Sequence, residues 1–319
     1  MQHWSTYWSS TKSLNSFAEG EHKQGYVGVI ADYWHNKFQQ LPSSAKILDI
    51  ATGNGGLAVL AKEFNPHFTV YGSDAAVINP LSKFTSSDSV YNTLKNIKFY
   101  GDMPSEKLAF KDQEFDAVIS QFGFEYAAQN AAILEVNRIL KPNGSFIALI
   151  HHDSSFITDD CKVGINIINT LSVKNGLLDG LQNFANLCET IKDKNNPTLA
   201  QQTQFQKKNK DLLTLFKELQ GACNDQAQLD WFNLLAKELV PVIMNWKHID
   251  RESVATIVAN TLFFRKRLED QVDAAFSILD VNQIEATAKN HFNSFNVTLI
   301  EHDLGKLCWA IQATKNKDM

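Results

Sequence analysis

The chain has 319 residues, of which 44% are hydrophobic and 20% charged, and its formal net charge is −5. This length holds one large domain or two average ones, and the composition suits a globular protein with a sizeable core. A mildly acidic balance disfavours a nucleic-acid binder, which usually carries a basic surface. No apolar run approaches the length of a membrane span, and no basic-then-apolar signal segment opens the sequence.

The cysteines are widely separated and form no C-x-x-C pair; they are Cys161, Cys188, Cys223 and Cys308. This spacing favours neither a zinc site nor a disulfide framework, so we expect no metal. Unpaired cysteines of this kind are typical of a reducing compartment, and we therefore expect a cytoplasmic protein.

The first predicted element lies before any strand. The segment Trp4 to Gly20 is polar and aromatic, whereas Gly25 to Gln40 carries apolar residues at helical spacing, including Ile30 and Trp34. This pattern predicts an amphipathic helix near the N-terminus.

A glycine-rich turn between a strand and a helix is the most informative feature of the chain. Ile47 to Ile50 is typical of a buried strand, and it contains the carboxylate Asp49. Gly53 and Gly55 follow, and a helix begins near Leu57. Glycines allow the backbone to approach a ligand closely, and the start of a helix offers unpaired N–H groups. The turn therefore predicts a nucleotide-like cofactor.

Two cofactors compete for this turn. Gly53-x-Gly55-x-x-Ala58 fits the dinucleotide fingerprint, with Asp74 at the end of the next strand as the ribose-binding acid. Asp49 argues against a dinucleotide, because its carboxylate would repel a pyrophosphate. It would attract the ammonium and sulfonium groups of S-adenosylmethionine, which also offers a ribose diol to Asp74. The residues therefore favour S-adenosylmethionine.

Strands and helices continue to alternate up to residue 151, which predicts parallel strands with right-handed crossovers. The predicted strands are Ile97 to Tyr100, Phe115 to Ser120 and Ser145 to Ile150. A helix with Ile133, Val136 and Leu140 at helical spacing precedes the last of them, and the run Lys141 to Gly144 is predicted to end that helix.

Five motifs in this order resemble class I S-adenosylmethionine-dependent methyltransferases, in the type 11/12-like branch that acts mostly on small molecules. The motifs are Leu48 to Gly55, Asp74, Gly101-Asp102, Phe115 to Val118 and Leu140 to Gly144. The resemblance covers about Lys46 to His151, and Ala51 stands where many members have glycine. It implies a Rossmann-like, seven-stranded, mostly parallel sheet with an antiparallel last strand, and an enzyme whose product is S-adenosylhomocysteine.

The last two strands of that fold are predicted late, at Asn296 to Ile300 and Lys306 to Gln312. The long segment before them is predicted to be an all-helical insertion, which either caps the acceptor site or forms a homodimer interface. We therefore divide the chain into an N-terminal helical lid, a cofactor-binding core, the insertion and the final strands, at residues 1–40, 41–155, 156–290 and 291–319. The alternative role for the N-terminal region is to cover one sheet edge.

Three further expectations concern the insertion. Asp225 is predicted to cap a helix that Pro241 ends or kinks, and Arg251 to Leu268 is predicted to form another helix. Lys192 to Lys210 is predicted to be a loop. The cations of Arg265 to Arg267 suit a helix C-terminus, with an anchor for an anionic substrate as the alternative.

The resemblance implies roles for the cofactor-binding residues. Asp49 and the turn would hold the methionine end, Asp74 the ribose hydroxyls, and Asp102 the adenine amino group with Met103 on the ring. Turn capping is the alternative for the three acids. The predicted set is Asp49, Ala51, Thr52, Gly53, Asn54, Gly55, Asp74, Ala75, Gly101, Asp102, Met103, Gln121 and Phe122.

Two residues compete for the role of general base. His151 ends the fifth strand and can accept a proton at neutral pH, and Glu125 is its rival. The alternative is a strand-end histidine that only bonds to the backbone. Adjacent strand residues point to opposite faces, so only one of His151 and His152 can face the acceptor. Residues predicted to contact the substrate are Trp34, Phe124, Tyr126 and His152, although Phe122 and Phe124 also suit an ordinary core.

The sequence thus predicts methyl transfer from S-adenosylmethionine to a small molecule. A protein or RNA methyltransferase and a non-catalytic cofactor-binding module are the alternatives. The N-P-P-Y type motif of enzymes that methylate base amino groups is absent from the sequence.

Overall fold

The computed structural model describes residues 1–16, 26–192, 197–245, 247–248 and 250–316. The chain forms two compact units. The first comprises Met1–Thr158 and Asp273–Met319, and the second comprises Asp159–Val272.

A seven-stranded sheet forms the centre of the first unit. Its strand order is β3-β2-β1-β4-β5-β7-β6, and β7 alone runs antiparallel to its neighbours β5 and β6. This architecture confirms the predicted Rossmann-like sheet with its antiparallel last strand. The strands are β1 Lys46–Ile50, β2 Thr69–Ser73, β3 Lys98–Tyr100, β4 Phe115–Gln121, β5 Leu140–His151, β6 Phe292–His302 and β7 Gly305–Lys315.

Helices pack on both faces of this sheet. They are α1 Gln2–Ser10, α2 Gly28–Phe38, α3 Gly56–Phe64, α4 Tyr91–Leu94, α5 Gln129–Ile139 and α11 Ile278–Ala288, with short 3-10 turns at Pro80–Lys83 and Phe124–Tyr126. Residues 17–25, in the predicted N-terminal region, lie outside the described residues.

The central strands are apolar on both faces because each face is covered. Leu48 and Ile50 of β1 belong to one core cluster, together with residues of α5 and α11. Ile47 belongs to the other cluster, together with residues of α2 and α3. Side chains alternate along a strand. Asp49 of β1, Gln121 of β4 and His151 of β5 therefore lie on the face that α2 and α3 cover.

One predicted boundary in this unit is wrong. The run Lys141 to Gly144 does not end a helix but belongs to β5, since α5 ends at Ile139 and Leu140 is already extended. The pairing with β4 shifts register here, from Phe115–Leu140 to Ala117–Ser145. Asn143 in this irregular stretch has a φ of 60°.

The second unit is built from helices around its own core. The helical elements of this part of the chain are α6 Phe156–Leu171, α7 Leu177–Lys192, α8 Leu199–Gly221, α9 Gln226–Met244 and α10 Arg251–Ala274. Their apolar faces share one cluster that includes Ile168, Phe184, Leu235 and Val254. The predicted helical insertion is thereby confirmed. No described helix is both long and apolar enough to cross a lipid bilayer.

One local prediction in the insertion is wrong, and a second holds for at most one of its two alternatives. The predicted loop from Lys192 to Lys210 is helical from Leu199 onward, because Thr198 and Gln201 form a capping box that starts α8. Residues 193–196 lie outside the described part of the chain. Pro241 lies inside α9, which continues to Met244, so it does not end the helix. That it kinks the helix stays a prediction. Asp225 caps α9 as predicted, accepting a hydrogen bond from the Gln228 N–H at 2.8 Å.

Candidate active site

The candidate residues of the first unit gather at the carboxyl ends of β1, β2, β4 and β5. The chain runs from β1 outward to β2 on one side, and returns to add β4 on the other side of β1. Ligands of open α/β sheets bind where the strand order reverses in this way. The fold therefore places the glycine turn after β1 and the segment after β4 at the same crevice.

The glycine turn has a left-handed backbone. Gly53 and Gly55 have φ values of 55° and 90°, and Gly55 is the N-cap of α3. A Cβ on Gly53 would lie 2.4 Å from a ring carbon of Trp8, and one on Gly55 would lie 2.6 Å from Phe99. Only glycine allows this combination of left-handed backbone and close approach.

Asp74 joins the end of β2 to this turn. Its Oδ2 accepts a hydrogen bond from the Gly53 N–H at 2.8 Å, and its Oδ1 accepts one from the Ala76 N–H at 2.7 Å. Burial raises the pKa of Asp74 to about 6, although these two N–H groups oppose the shift. A carboxylate oxygen can accept more than one donor. Asp74 therefore caps the turn and retains acceptor capacity for a ribose hydroxyl.

Asp49 is a buried carboxyl beside the same turn. It accepts a hydrogen bond from the Thr52 hydroxyl at 2.5 Å. Burial, with a smaller contribution from the neighbouring Asp74, raises its pKa to about 8, although the bond from Thr52 opposes the shift. Desolvation of this kind disfavours a charged carboxylate unless a cation is near. Asp49 is therefore suited to a positively charged ligand.

The segment predicted to contact adenine is tied to the Asp74 loop. The Met103 N–H donates to the Asp74 carbonyl oxygen at 2.9 Å, and the Asp102 N–H donates to the Ala76 carbonyl oxygen at 3.2 Å. Asp102 is exposed and has a φ of 53°, while Ala75 is half-buried. A Cβ on Gly101 would lie 2.9 Å from the backbone nitrogen of Ile78, so glycine is required there too.

Gln121 and Phe122 follow β4 on the other side of the crevice. The Trp34 indole N–H donates to Gln121 Oε1 at 2.5 Å, and Trp34 is completely buried in the core. Trp34 thus positions Gln121 rather than lining an open surface. Phe122 has a φ of 53°, and its ring stacks on the imidazole of His151 with 4.3 Å between centroids.

The two candidate bases form one buried pair. Glu125 Oε1 lies 2.6 Å from His151 Nδ1 and also accepts a hydrogen bond from the His151 backbone N–H at 2.9 Å. The side chains of His151 and Glu125 are 3% and 0% exposed. The sequence presented these residues as rivals, whereas the fold makes them partners.

Two of the predicted substrate residues lie elsewhere in the first unit. Phe124 is completely buried and packs against Phe146. His152 stacks on Trp309 at 4.6 Å, and its Nδ1 accepts a hydrogen bond from the Ser154 N–H at 2.9 Å. Burial lowers the pKa of His152, and Lys306 lowers it further. Both side chains therefore lie on the opposite face of the sheet from the Glu125–His151 pair.

Tyr126, by contrast, lies beside the pair. Its ring meets the His151 ring edge-on at 6.3 Å, and the ring of Trp4 in α1 meets Tyr126 edge-on at 5.7 Å. An aromatic surface thus adjoins the imidazole.

Sequence reasoning missed Tyr26. Burial raises the pKa of its phenol above the ordinary range, and the carboxyls of Asp49 and Glu125 raise it further. The phenol therefore lies close to both acids. Tyr26 belongs to no motif and precedes the first predicted strand, so only its position at the edge of the amphipathic segment could have suggested a role.

The N-terminal segment covers the glycine turn. Trp8 lies directly against Gly53, and the Gly56 N–H donates to the Leu14 carbonyl oxygen at 3.1 Å. The Asn54 side-chain amide donates to the Ser13 carbonyl oxygen at 2.9 Å. These contacts hold the segment over the loop that is predicted to bind the cofactor.

Within the described residues, several buried polar atoms at these strand ends have no hydrogen-bond partner. Such atoms destabilise a protein unless a ligand or water satisfies them. The crevice thus fits a ligand that combines polar groups with a positive charge, as S-adenosylmethionine does. The atoms are Asn54 Oδ1, Ser73 Oγ, Gln121 Nε2 and Glu125 Oε2. The described residues contain no group of three or more His, Cys, Asp or Glu that is arranged to hold a metal ion.

Strand order, glycine turn and buried carboxyls together define a class I S-adenosylmethionine-dependent methyltransferase fold. Residues 48–148 match the sequence model of a family described as "Methyltransferase domain". The matched segment lies within the first unit and is less than half of the chain.

Curated relatives match the same part of the chain. A demethylmenaquinone methyltransferase of Thermus thermophilus is 35% identical over 105 residues, which are 33% of this chain and 46% of the relative. The ubiquinone/menaquinone biosynthesis C-methyltransferase UbiE of Rickettsia bellii is 33% identical over 122 residues, covering 36% and 49% of the two chains. The chain therefore spans about half the length of the curated relatives it matches.

Among solved structures, a SAM dependent methyltransferase from Aquifex aeolicus aligns with 89% of this chain and 89% of its own. The two are 13% identical, with a TM-score of 0.42. The fold assignment accordingly depends on the strand order described above.

Ala51 and Gly123 are expected to be energetically coupled. Ala51 has a φ of 52°, and a Cβ on Gly123 would lie 2.5 Å from the Ala51 Cβ. Ala51→Gly should stabilise the protein by up to about 1 kcal/mol, because a left-handed backbone is unfavourable for alanine. Gly123→Ala should destabilise the wild type more than it destabilises the Ala51→Gly variant. We expect a difference of at least about 1 kcal/mol, which is typical of the interaction energy between two residues in contact. Urea unfolding of the double-mutant cycle measures this difference; strict additivity would contradict it.

Asp49→Asn should stabilise the cofactor-free protein at alkaline pH while removing cofactor affinity. The folded-state pKa of about 8 lies above that of an unfolded aspartate, so wild-type stability falls as pH rises between the two values. The variant lacks this loss, and we expect it to gain at least about 1 kcal/mol at pH 9. Thermal melting at pH 6 and pH 9 tests this; an equal gain at both values would exclude the ionisation of Asp49 as its cause.

Proposed function

We propose that this protein is an S-adenosylmethionine-dependent methyltransferase that acts on a small-molecule acceptor. The observation that carries the proposal is the pair of buried carboxyls, Asp49 and Asp74, on either side of the left-handed turn at Gly53. Such a pair is unfavourable in the absence of a cation and a hydroxyl donor. The family relation through residues 48–148 supports the same cofactor.

Each part of the crevice has a proposed role in holding that cofactor. When bound, S-adenosylmethionine supplies a methyl carbon activated by a positively charged sulfur. Asp49 compensates positive charge at the methionine end, and Asp74 accepts the ribose hydroxyls while it holds Gly53. Asp102 and Met103 contact the adenine, and Gln121 offers its unpartnered amide to the ligand.

Catalysis then depends mainly on alignment and on exclusion of water. Orientation of two reactants alone supplies roughly 7–11 kcal/mol in favourable cases. Trp8 restricts the crevice because it lies against Gly53, and Trp34 holds Gln121 in place from the core. We propose that α1 closes the cofactor site as a lid.

The acceptor is proposed to be small because the candidate base is deeply buried. His151 is 2% exposed, so an acceptor atom must enter the interior to reach it. A base in an RNA helix or a side chain on a folded protein surface reaches such a depth only after unstacking or unfolding. Curated relatives named for the methylation of demethylmenaquinone also support a small acceptor.

The basic run at Arg265 to Arg267 in α10 does not favour a nucleic-acid acceptor, because its cations are paired on their own helix. Arg265 contacts Glu269, and Lys266 contacts Asp270. Arg267 lies over the ring of Phe264. A role as cap or as homodimer interface stays a prediction for this helical unit.

The cofactor proposal is tested by calorimetry with S-adenosylhomocysteine on the wild type and on Asp74→Asn. We expect micromolar binding to the wild type and a loss of at least about tenfold, or 1.4 kcal/mol, in the variant. Asn retains a side-chain oxygen that can hold Gly53 but not two acceptors for a ribose diol. Exposed Asp303→Asn is the matched control. Unchanged affinity in Asp74→Asn would contradict the proposed site.

Turnover is tested separately with methyl-labelled S-adenosylmethionine and a metabolite extract. We expect label in the low-molecular-weight fraction. Label confined to protein or RNA would contradict the proposed acceptor class, and cofactor binding without any transfer would indicate a non-catalytic module.

Trp8→Ala should weaken cofactor binding about tenfold, mainly through faster dissociation, because the indole covers the turn at Gly53. Trp8→Phe, which retains an aromatic cover, should bind within about threefold of the wild type. Stopped-flow dissociation of S-adenosylhomocysteine measures both rates. Tighter binding by Trp8→Ala would show instead that α1 obstructs the cofactor.

A further inference from the structure

A carboxylate and an imidazole form a directed pair at the end of β5. Glu125 Oε1 contacts both Nδ1 and the backbone N–H of His151, so one carboxylate oxygen fixes both the ring and the strand end. Phe122 stacks on one face of the ring, and Tyr126 meets its edge. A histidine that serves only to fill a core does not need an equally buried carboxylate on one nitrogen, because burying a carboxylate is unfavourable.

The contact with Glu125 determines which ring nitrogen can act as a base. A carboxylate that accepts from Nδ1–H fixes the neutral imidazole in that tautomer. Nε2 then carries the lone pair. This is the logic of a base oriented by a third group, in which the carboxylate stabilises the imidazolium that forms.

The pair adjoins the proposed cofactor site. The segment that begins with Phe122 packs against the glycine turn, since a Cβ on Gly123 would meet Ala51. Asp49, Gln121 and His151 occupy the same sheet face on neighbouring strands, as their register shows. The phenol of Tyr26 lies near both Asp49 and Glu125. Asp49, which is proposed to bind the cofactor, and the candidate base His151 therefore belong to one crevice.

We infer that Glu125 and His151 are a general-base pair that removes a proton from an uncharged hydroxyl group on a planar ring, and this inference rests on the methyltransferase function proposed above. His151 is the catalytic residue. Glu125 is a positioning residue, which holds the proton on Nδ1 and keeps Nε2 available.

The proposed step balances in atoms and charge. The acceptor hydroxyl proton passes to Nε2 of His151. The electron pair released forms a bond from the acceptor oxygen, or from a conjugated ring carbon, to the methyl carbon. The carbon–sulfur bond breaks, and its electron pair remains on sulfur, which becomes neutral. The positive charge thus moves to the imidazolium of His151, where the carboxylate of Glu125 stabilises it. With a ring carbon as nucleophile, that carbon then loses its hydrogen as a proton to solvent, and the ring oxygen takes a proton back from the imidazolium of His151, so that the ring regains aromaticity and its hydroxyl.

The surroundings select the acceptor. Buried carboxyls at Asp49 and Glu125 disfavour an acceptor that enters as an anion. A hydroxyl group becomes a strong nucleophile only when it loses its proton, whereas a neutral amine can attack before it does so. Phe122 and Tyr126 make the surroundings of the His151 ring aromatic, and an aromatic environment favours a planar ring over a polar aliphatic acceptor.

Neighbouring titratable groups are poor substitutes for His151. Burial raises the pKa of the Tyr26 phenol and of the Cys308 thiol above their usual ranges, and Glu125 raises both further. Both groups are therefore neutral acids at physiological pH. Cys308 is the strand partner of His151 in β7.

The first test is a spectroscopic one that needs no acceptor. Full-length protein is labelled with ¹⁵N-histidine, and the His151 signals are assigned from the spectrum of His151→Asn. We expect the neutral ring to be mostly the Nδ1–H tautomer in the wild type, to lose that preference in Glu125→Gln, and to regain it at least partly in Glu125→Asp. An Nε2–H tautomer in the wild type, or an identical tautomer in Glu125→Gln, would overturn the pairing.

The second test uses defined acceptors and methyl-labelled S-adenosylmethionine. Naphthols and benzenediols are compared with their amino analogues and methyl ethers. We expect label in at least one hydroxyl compound and at least tenfold slower transfer to its amino analogue. Preferential methylation of the amine, or no label in any hydroxyl compound, would overturn the inferred acceptor class.

Variants then separate catalysis from structure. With the accepted compound, His151→Asn should lower kcat by roughly 100- to 10,000-fold, and Glu125→Gln should lower it by at least about tenfold. KM should change less than about threefold, and Glu125→Asp should restore part of the rate. The exposed residues His67 and Glu301 provide the controls His67→Asn and Glu301→Gln, which should leave kcat unchanged. A full rate in His151→Asn would overturn its role as base.

Calorimetry with S-adenosylhomocysteine on every protein keeps the two proposals apart. If the wild type does not bind it, the methyltransferase function itself fails. If the wild type and variants bind it equally but the tautomer, the acceptor or the rates differ from these expectations, only the Glu125–His151 inference fails.

Discussion

The hydrogen bond from the Gly53 N–H to the Asp74 carboxylate is the contact on which the organisation of the site depends. It ties the turn after β1 to the end of β2, so the two halves of the proposed cofactor site cannot move independently. The same carboxylate holds Ala76, and the carbonyl oxygen of Asp74 holds Met103 after β3. One buried acid thus organises three strand ends. This arrangement requires desolvation of a carboxyl group, which is unfavourable unless hydrogen bonds and a ligand compensate it.

Three residues with a strained backbone lie around that contact. Ala51, Asp102 and Phe122 have left-handed φ values, and they follow β1, β3 and β4 respectively. Each such conformation costs of order 1–3 kcal/mol, and it persists only where the surroundings determine it. Because parallel strands end at one edge, the strained residues face a common crevice. There they aim backbone groups and the Phe122 ring at positions that a relaxed chain would not reach.

Much of the fold could be predicted from local pattern. Each local pattern depends on residues close together in the chain; the patterns are the apolar strand runs, the glycine turn and the acid at the end of the next strand. Their order along the chain specifies the parallel sheet with its antiparallel final strand. The helical insertion was likewise predictable from periodicity, but its boundaries were not. The capping box formed by Thr198 and Gln201 indicates the start of α8, but the polar composition around it favoured a loop instead. The run after Ile139 lies in β5 because Leu140 already pairs with Phe115 of β4, and the regular pairing resumes at Ser145; between them Asn143 keeps a left-handed φ.

By itself, the sequence determined the class of fold, the cofactor class and the identities of the acids beside the glycine turn, because these depend on residues close together in the chain. Only the tertiary structure decided which side chains meet across the crevice. Strand alternation predicted that His151 and His152 would face opposite ways, but not which of them would contact Glu125. Trp34 reaches Gln121 across 87 positions, and Trp8 covers Gly53 from the N-terminal segment. Such pairs form only when helices dock on the sheet, since no local propensity encodes a contact between distant residues.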